Sequence, residues 1–223
     1  RRAAASTLPS DRFLMTSEDQ AQQMRELALR GELDLRGFTI LVEPTRRNTA
    51  PCIALALLEI RRQLEAQGTS APEVDAALIT VLPADHHVGN ELDWNLALRH
   101  AAKVAKATRM ITCLGIVPDG PSSEYGYINR AHALAPDARW AGANGLPTYH
   151  SPGFTEKPAR VQAEALIAAG ALWNAGVFVA RTDVLKAAYQ LHAADIWQAL
   201  AHVPPQRASG ANEDPVVGEV TAL

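Results

Sequence analysis

The sequence predicts an α/β fold, a mostly parallel sheet with helices on both faces. Three observations carry this. Apolar runs of strand length alternate with stretches of helical periodicity along most of the chain. One run, "AALITVLP" (76–83), is continuously apolar, the pattern of a parallel strand covered on both faces. The chain has 223 residues, 48% of them hydrophobic, enough to bury the core of one large α/β domain or two small ones.

The elements follow in order. Residues 17–30 ("SEDQAQQMRELALR") read as a helix, with Ser17 as N-cap and Met24, Leu27 and Ala28 on one apolar face. "GFTILVE" (37–43) is a short strand. Residues 48–68 read as a helix that tolerates Pro51 in its first turn and stops at Gly68. After the 76–83 strand come a helix over 91–107 and the strand "MITCLGIV" (110–117). The turn "PDGPSS" leads into "YGYI", and residues 131–152 show no period, so they read as loop or weak strand. "GFTEKP" (153–158) is a strand edge, 159–170 an amphipathic helix, "WNAGVFVAR" (173–181) an apolar strand, and 182–200 a helix ending before Pro204 and Pro205. One domain over 1–203 and a loose tail over 204–223 are expected. In such sheets ligands sit beyond the carboxyl ends of the strands.

Charge and composition narrow the function. Lys and Arg number 21 against 24 Asp and Glu, a net −3, which argues against nucleic acid or an anionic membrane as the main partner. No apolar run reaches the ~18 residues of a membrane span. The start, "RRAAASTLPSDRF", has no apolar core of a secretory signal, and it lacks an initiator Met, which hints at a fragment or a processed chain. Cys52 and Cys113 lie in apolar surroundings without metal-type spacing, as buried thiols of a reducing, cytoplasmic compartment do.

Several stretches place chemically useful residues at element ends. Asp85, in "ITVLPADHHV", follows a predicted strand where a carboxylate could hold Mg²⁺ against substrate phosphates; a turn or cap Asp is the plainer alternative. His86 and His87 are poor Mg²⁺ ligands, and zinc is not expected, since His100 and His132 supply no partner at helical spacing. "EPTRRNTAPC" (43–52) crosses from a strand end into a helix N-terminus. The amides there favour anions, and Arg46 and Arg47 can fork onto phosphate, while Asn48 or Thr49 reads equally as a simple cap. Gly126 in "SEYGYI" permits close approach of a ligand or only a tight bend. Glu156 and Lys157 in "FTEKP" suit sugar hydroxyls and phosphate, or are a solvated charge pair. Asn174, near Gly176 in an apolar strand, needs hydrogen-bond partners from backbone or ligand.

Together and in order, "EPTRRNTAP", "VLPADH", "GIVPDGPSSEYGYI", "FTEKP" and "LWNAGVF" resemble the successive motifs of bacterial mannose-1-phosphate guanylyltransferases, over about residues 12–200. The resemblance implies a Rossmann-like (GT-A-like) fold of the nucleotide-diphospho-sugar transferase type. It also implies transfer of GMP from GTP to mannose 1-phosphate, giving GDP-mannose and pyrophosphate with Mg²⁺ as cofactor. By the same resemblance, Asp85 would hold Mg²⁺, Lys157 the sugar phosphate and Glu156 the sugar hydroxyls. Asn174, Gly126 and Gly176 would complete the sugar pocket, and Glu43, Arg47, Asn48 and Thr49 would line the nucleotide side.

Three departures stand out. Nothing matches the family's opening "GGxGxRLxP" strand–loop unit, so the fold is expected to be incomplete at its N-terminus and the enzyme truncated or impaired. The stretch that would supply a second metal Asp has no counterpart beyond Asp214. Glu124 stands where the family usually has glycine. A non-catalytic sugar-nucleotide-binding remnant, or a pyrophosphorylase for another sugar 1-phosphate and nucleotide, are the alternatives, and a homo-oligomer is left open.

Overall fold

The computed structural model describes residues 12–43, 45, 48–140, 146–204 and the backbone of 209–210. The chain divides into two compact units: one comprises the segments up to Ala71 and from Lys186 onward, the other Pro72–Leu185.

In the first unit, β1 (Phe13–Ser17) and β2 (Thr39–Glu43) pair in parallel, Phe13 opposite Thr39 and Ser17 opposite Glu43. Helix α1 (Glu18–Leu29) makes the crossover that parallel neighbours require. Met24 and Ala28 pack with Leu14, Leu33 and Val42 around buried Ala21, Leu35 and Ile40, as the helical period predicts. Leu27, expected on the same face, is 37% exposed. Ser17 occupies the N-cap position without a side-chain cap bond; Glu18 and Asp19 in the first turn suit the helix dipole instead. Helix α2 (Thr49–Ala66) begins after Asn48 and is followed by Gly68 at φ 82°, the left-handed stop foreseen for it. It packs on β1, β2 and α7 (Ala194–Ala201). The helix expected over 182–200 is in fact two, α6 (Thr182–His192) and α7, separated by the non-helical Ala193 (φ −149°, ψ 50°). A short β8 (Ser209–Gly210) runs antiparallel on β2.

The second unit is organised on one strand, β7 (Leu172–Arg181). Along one edge lies β4 (Thr112–Ile116). Along the other lie β3 (Leu78–Val81), opposite Phe178–Arg181, and β5 (Tyr127–Asn129), opposite Leu172 and Trp173. β6 (Gly153–Thr155) completes the sheet against β5. The short α3 (Ala71–Ala76) precedes β3, and α4 (Glu91–Thr108) connects it to β4. Asn90 caps α4 by accepting from the Leu92 and Asp93 amides. Leu98, Ala101 and Ala105 of α4 cover Ala175, Val177 and Val179 of β7. Helix α5 (Arg160–Ala168) buries Ala163 with Tyr127 and Ala171.

The α/β class with helices packed on the sheets is thus what the chain adopts, but the pairing differs in detail from a mostly parallel sheet. β3 and β4 run in the same direction, as their connection through α4 demands, yet antiparallel β7 is inserted between them. Among the described residues only β1 and β2 are directly parallel neighbours. A local β–α–β pattern fixes strand direction but not which strand fills the space between. β3 is also less buried than its apolar run suggests: it pairs on one edge only among the described residues, and Leu78 is 38% exposed. Two short elements, β1 and α3, gave no periodic signal of their own.

Candidate functional site

The two edges of β7 are not equally continuous. Between the end of the β5 pairing at Trp173 and the start of the β3 pairing at Phe178, residues 174–177 have no ladder partner on that edge. On the other edge the register shifts between Cys113, opposite Phe178, and Gly115, opposite Asn174. Gly176 makes the irregularity: its φ is 64°, a region that disfavours any residue with a Cβ. Asn174 fixes the bend, its Oδ1 accepting the Gly176 amide at 3.0 Å while its own amide donates to the Gly126 carbonyl at 2.7 Å.

Four of the motifs meet at this break. A Cβ at Gly176 would lie 3.2 Å from Pro83 Cγ, so the segment that carries Asp85 leaves β3 directly beside the bend. A Cβ at Gly126 would lie only 2.5 Å from Glu156 Oε2 and 3.6 Å from Asn174 Cβ. The Glu156 carboxylate therefore lies across a position that only glycine can occupy without displacing it. The loop before Gly126 is held by Tyr127, which is fully buried: its hydroxyl accepts from the Ser122 amide at 2.9 Å and donates to the Ser122 carbonyl at 3.0 Å. Tyr125 packs edge-on against Trp173, ring centroids 4.9 Å apart. Glu124 keeps this turn, its amide donating to Ser122 Oγ at 3.1 Å, and its side chain is exposed.

Lys157 follows with φ 43°, one of two non-glycine residues with positive φ among the described residues. The next residue, Pro158, is buried, so ring and backbone leave the lysine little freedom to relax. Asp85 is exposed on the segment after β3, and no three His, Cys, Asp or Glu side chains cluster for a metal among the described residues. One exposed carboxylate is the donor set with which Mg²⁺ is held when phosphates supply the other ligands, and not a cage for a free ion. Asp85, Gly126, Glu156, Lys157, Asn174 and Gly176 all belong to the second unit.

The nucleotide-side candidates belong to the first unit. Glu43 ends β2 half-buried, Asn48 stands at the α2 N-cap without a side-chain cap bond, and Thr49 opens the helix exposed. Arg46, Arg47 and Asp214 lie outside the described residues. Sequence reading missed Cys52 as a neighbour of Glu43. Burial pushes its thiol up to about 12, and the Glu43 carboxylate adds its charge and a hydrogen bond. Tyr189 is likewise raised to about 12, by burial and then by Cys52, and its hydroxyl donates to the Ala50 carbonyl at 2.7 Å. Both cysteines are free thiols and half-buried, and burial raises Cys113 to about 11.

Residues 5–206 match the family described as nucleotidyl transferase. The chain is 38% identical over 162 residues to a mannose-1-phosphate guanylyltransferase of Escherichia coli K12, a match covering 72% of this chain and 30% of that protein. A Klebsiella pneumoniae protein of the same name is 37% identical over 162 residues, covering 72% and 29%. Among solved structures, a Thermus thermophilus protein described as a mannose-1-phosphate geranyltransferase superposes with TM-score 0.68 at 28% identity, covering 90% of this chain and 51% of that one. The chain spans about a third of the length of the curated relatives it matches.

Proposed function

The chain belongs to the nucleotidyl transferase family, and from that premise we propose that it transfers GMP from GTP to mannose 1-phosphate, giving GDP-mannose and pyrophosphate. The observation that carries the sugar side is the convergence of Gly126, Glu156 and Asn174 at the break in β7. The names of the matched relatives support mannose 1-phosphate as the acceptor and a guanosine nucleotide as the donor.

In this proposal a phosphate oxygen of the sugar phosphate attacks the α-phosphorus of GTP in line, and pyrophosphate leaves. Such a reaction needs little covalent participation from the protein; positioning and charge neutralisation do most of it. Glu156 accepts hydrogen bonds from sugar hydroxyls. Asn174, whose Oδ1 is engaged by the Gly176 amide, turns its Nδ2 toward the ligand as a donor. Lys157 binds the sugar phosphate as a point charge. Glu43, Arg47, Asn48 and Thr49 line the nucleotide side. Asp85 would hold Mg²⁺, which neutralises phosphate charge when bound.

A pyrophosphate-release assay on the chain with mannose 1-phosphate tests this, with GTP, UTP and dTTP compared in parallel. Release with GTP, lost in Asp85→Asn and Lys157→Ala, is the expected result. Turnover indifferent to both substitutions sinks the residue assignment, and preference for another nucleotide sinks the substrate.

A further inference from the structure

We propose that His132 and His150 form a two-histidine chelate for a borderline divalent cation such as Zn²⁺, Ni²⁺ or Cu²⁺, stapling the strip that prolongs the β5–β6 ladder. The two residues are 18 positions apart in sequence, with no spacing that announces a ligand pair. Chain geometry makes them neighbours. Past Asn129 and Gly153 the two strands stay paired: the Ala131 amide donates to the His150 carbonyl at 2.8 Å, the His150 amide to the His132 carbonyl at 3.1 Å, and the Leu134 amide to the Thr148 carbonyl at 2.8 Å. Ala133 bridges Tyr149 in the same antiparallel sense. His132 and His150 are therefore directly cross-strand, on one face of the strip.

Their rings stand 4.6 Å apart, centroid to centroid, tilted by 45°. With metal–nitrogen bonds of about 2.0–2.1 Å, two imidazoles bound to one ion at angles of about 90–109° have centroids about 4.5–5.2 Å apart. The pair already holds that spacing. His132 is exposed and His150 half-buried, so an ion has access from solvent, and water can fill the remaining positions. Arg130, the nearest cation in sequence, is turned away: its Nε donates to the Gly170 carbonyl and its guanidinium lies 4.7 Å from the Tyr149 ring centroid. Neutral imidazole prefers such borderline ions to Mg²⁺, so this pair is chemically distinct from Asp85. The strip also has a mechanical bearing on the break in β7. β5 continues from Gly126 at its start, and β6 leads into Glu156 at its end, with Tyr127 opposite Thr155. An ion at the far end fastens the two strands that carry those residues.

The test uses the full chain stripped with EDTA and titrated calorimetrically with Zn²⁺ and Ni²⁺, with Mg²⁺ as the control ion. The expected result is one saturable site for Zn²⁺ or Ni²⁺, a higher melting temperature on binding, and no such effect of Mg²⁺. His132→Ala and His150→Ala should each weaken binding at least about tenfold. His87→Ala and His100→Ala should leave it unchanged. Since His132 is exposed, His132→Gln, checked by circular dichroism, separates loss of the ligand from loss of fold. Cu²⁺ electron paramagnetic resonance should show two nitrogen ligands. Binding unchanged by His132→Ala, or a single-nitrogen spectrum, overturns the proposal. None of these readouts depends on nucleotidyl transfer, so the proposal stands or falls separately from it.

Discussion

The two halves of β7 share one strand and differ in almost every physical respect. From Phe178 to Arg181 the strand is paired with β3, β4 lies opposite Phe178 and Val179, α4 covers Val177 and Val179, and Val177, Val179 and Ala180 are buried. It ends in a compact ion network, where Arg181 grips Asp183 through two bonds of 3.0 and 2.8 Å and Arg109 adds a third at 2.7 Å. From Leu172 to Gly176 one edge is interrupted, the backbone turns left-handed at Gly176, and polar side chains collect. One half is built for burial and regular hydrogen bonding. The other gives up regular pairing locally, and sets the half-buried Asn174 and Gly176 beside the segment that leaves the carboxyl end of β3. The lesson is that a single strand can be both an anchor and the frame of a candidate site, provided the irregularity is confined to one end.

The largest expected effect attacks the anchor. Val177→Asp places a carboxylate in a fully buried apolar cluster, and should cost about 4 kcal/mol or more. Urea unfolding followed by tryptophan fluorescence reads this directly, because Trp94 packs on the same cluster. At the other end, Lys157→Ala should lower kcat/KM about a hundredfold or more, roughly the value of a charge-assisted contact of about 3 kcal/mol, with the unfolding midpoint nearly unchanged. A parallel loss of stability would mean the lysine is structural.

Glycine substitutions then sharpen the contrast. Gly176→Ala forces a Cβ into φ 64° and toward Pro83, and should destabilise by about 1–2 kcal/mol. Gly126→Ala clashes only with the end of the exposed Glu156 side chain, Asn174 Cβ lying at an ordinary contact distance of 3.6 Å, so the fold should tolerate it while the displaced carboxylate lowers activity about tenfold. Equal effects of the two changes on stability would refute the distinction.

The smallest effect concerns pH. Burial favours the neutral acid at Asp183, but the Arg181 hydrogen bonds and the Arg181 and Arg109 charges outweigh it and hold the carboxyl below its ordinary range. A depressed native pKa contributes stability that is full above the unfolded value of about 3.9 and is lost as pH falls through the lower native one. Asp183→Asn should therefore reduce stability by about 1 kcal/mol near neutrality and flatten the acid limb of the stability curve. An unaltered acid limb, measured by urea midpoints from pH 6 downward, would show that the network contributes little.

Much of this was legible in the residues themselves. Helices α2, α4 and α5 follow from apolar periodicity and a Gly68 stop, signals that act within a turn or two of the backbone, whereas the Asn90 cap of α4 is added by the structure. The candidate site residues of the second unit stand out in the sequence as motifs at strand ends, where polar side chains interrupt apolar runs. Among the described residues, no helix is long and apolar enough to cross a membrane.

What the sequence determined by itself is local: element type, strand direction through α4, and which short segments are candidates for carrying chemistry. These depend on interactions between residues a few positions apart, which composition and period record. Only the tertiary structure decided that antiparallel β7 separates β3 from β4, that Glu156 lies across Gly126, that Cys52 backs Glu43, and that His132 faces His150. All but the Cys52–Glu43 contact, which spans a strand end and the helix that follows it, join segments distant along the chain, and their meeting is set by how the whole sheet packs, a quantity no single stretch contains.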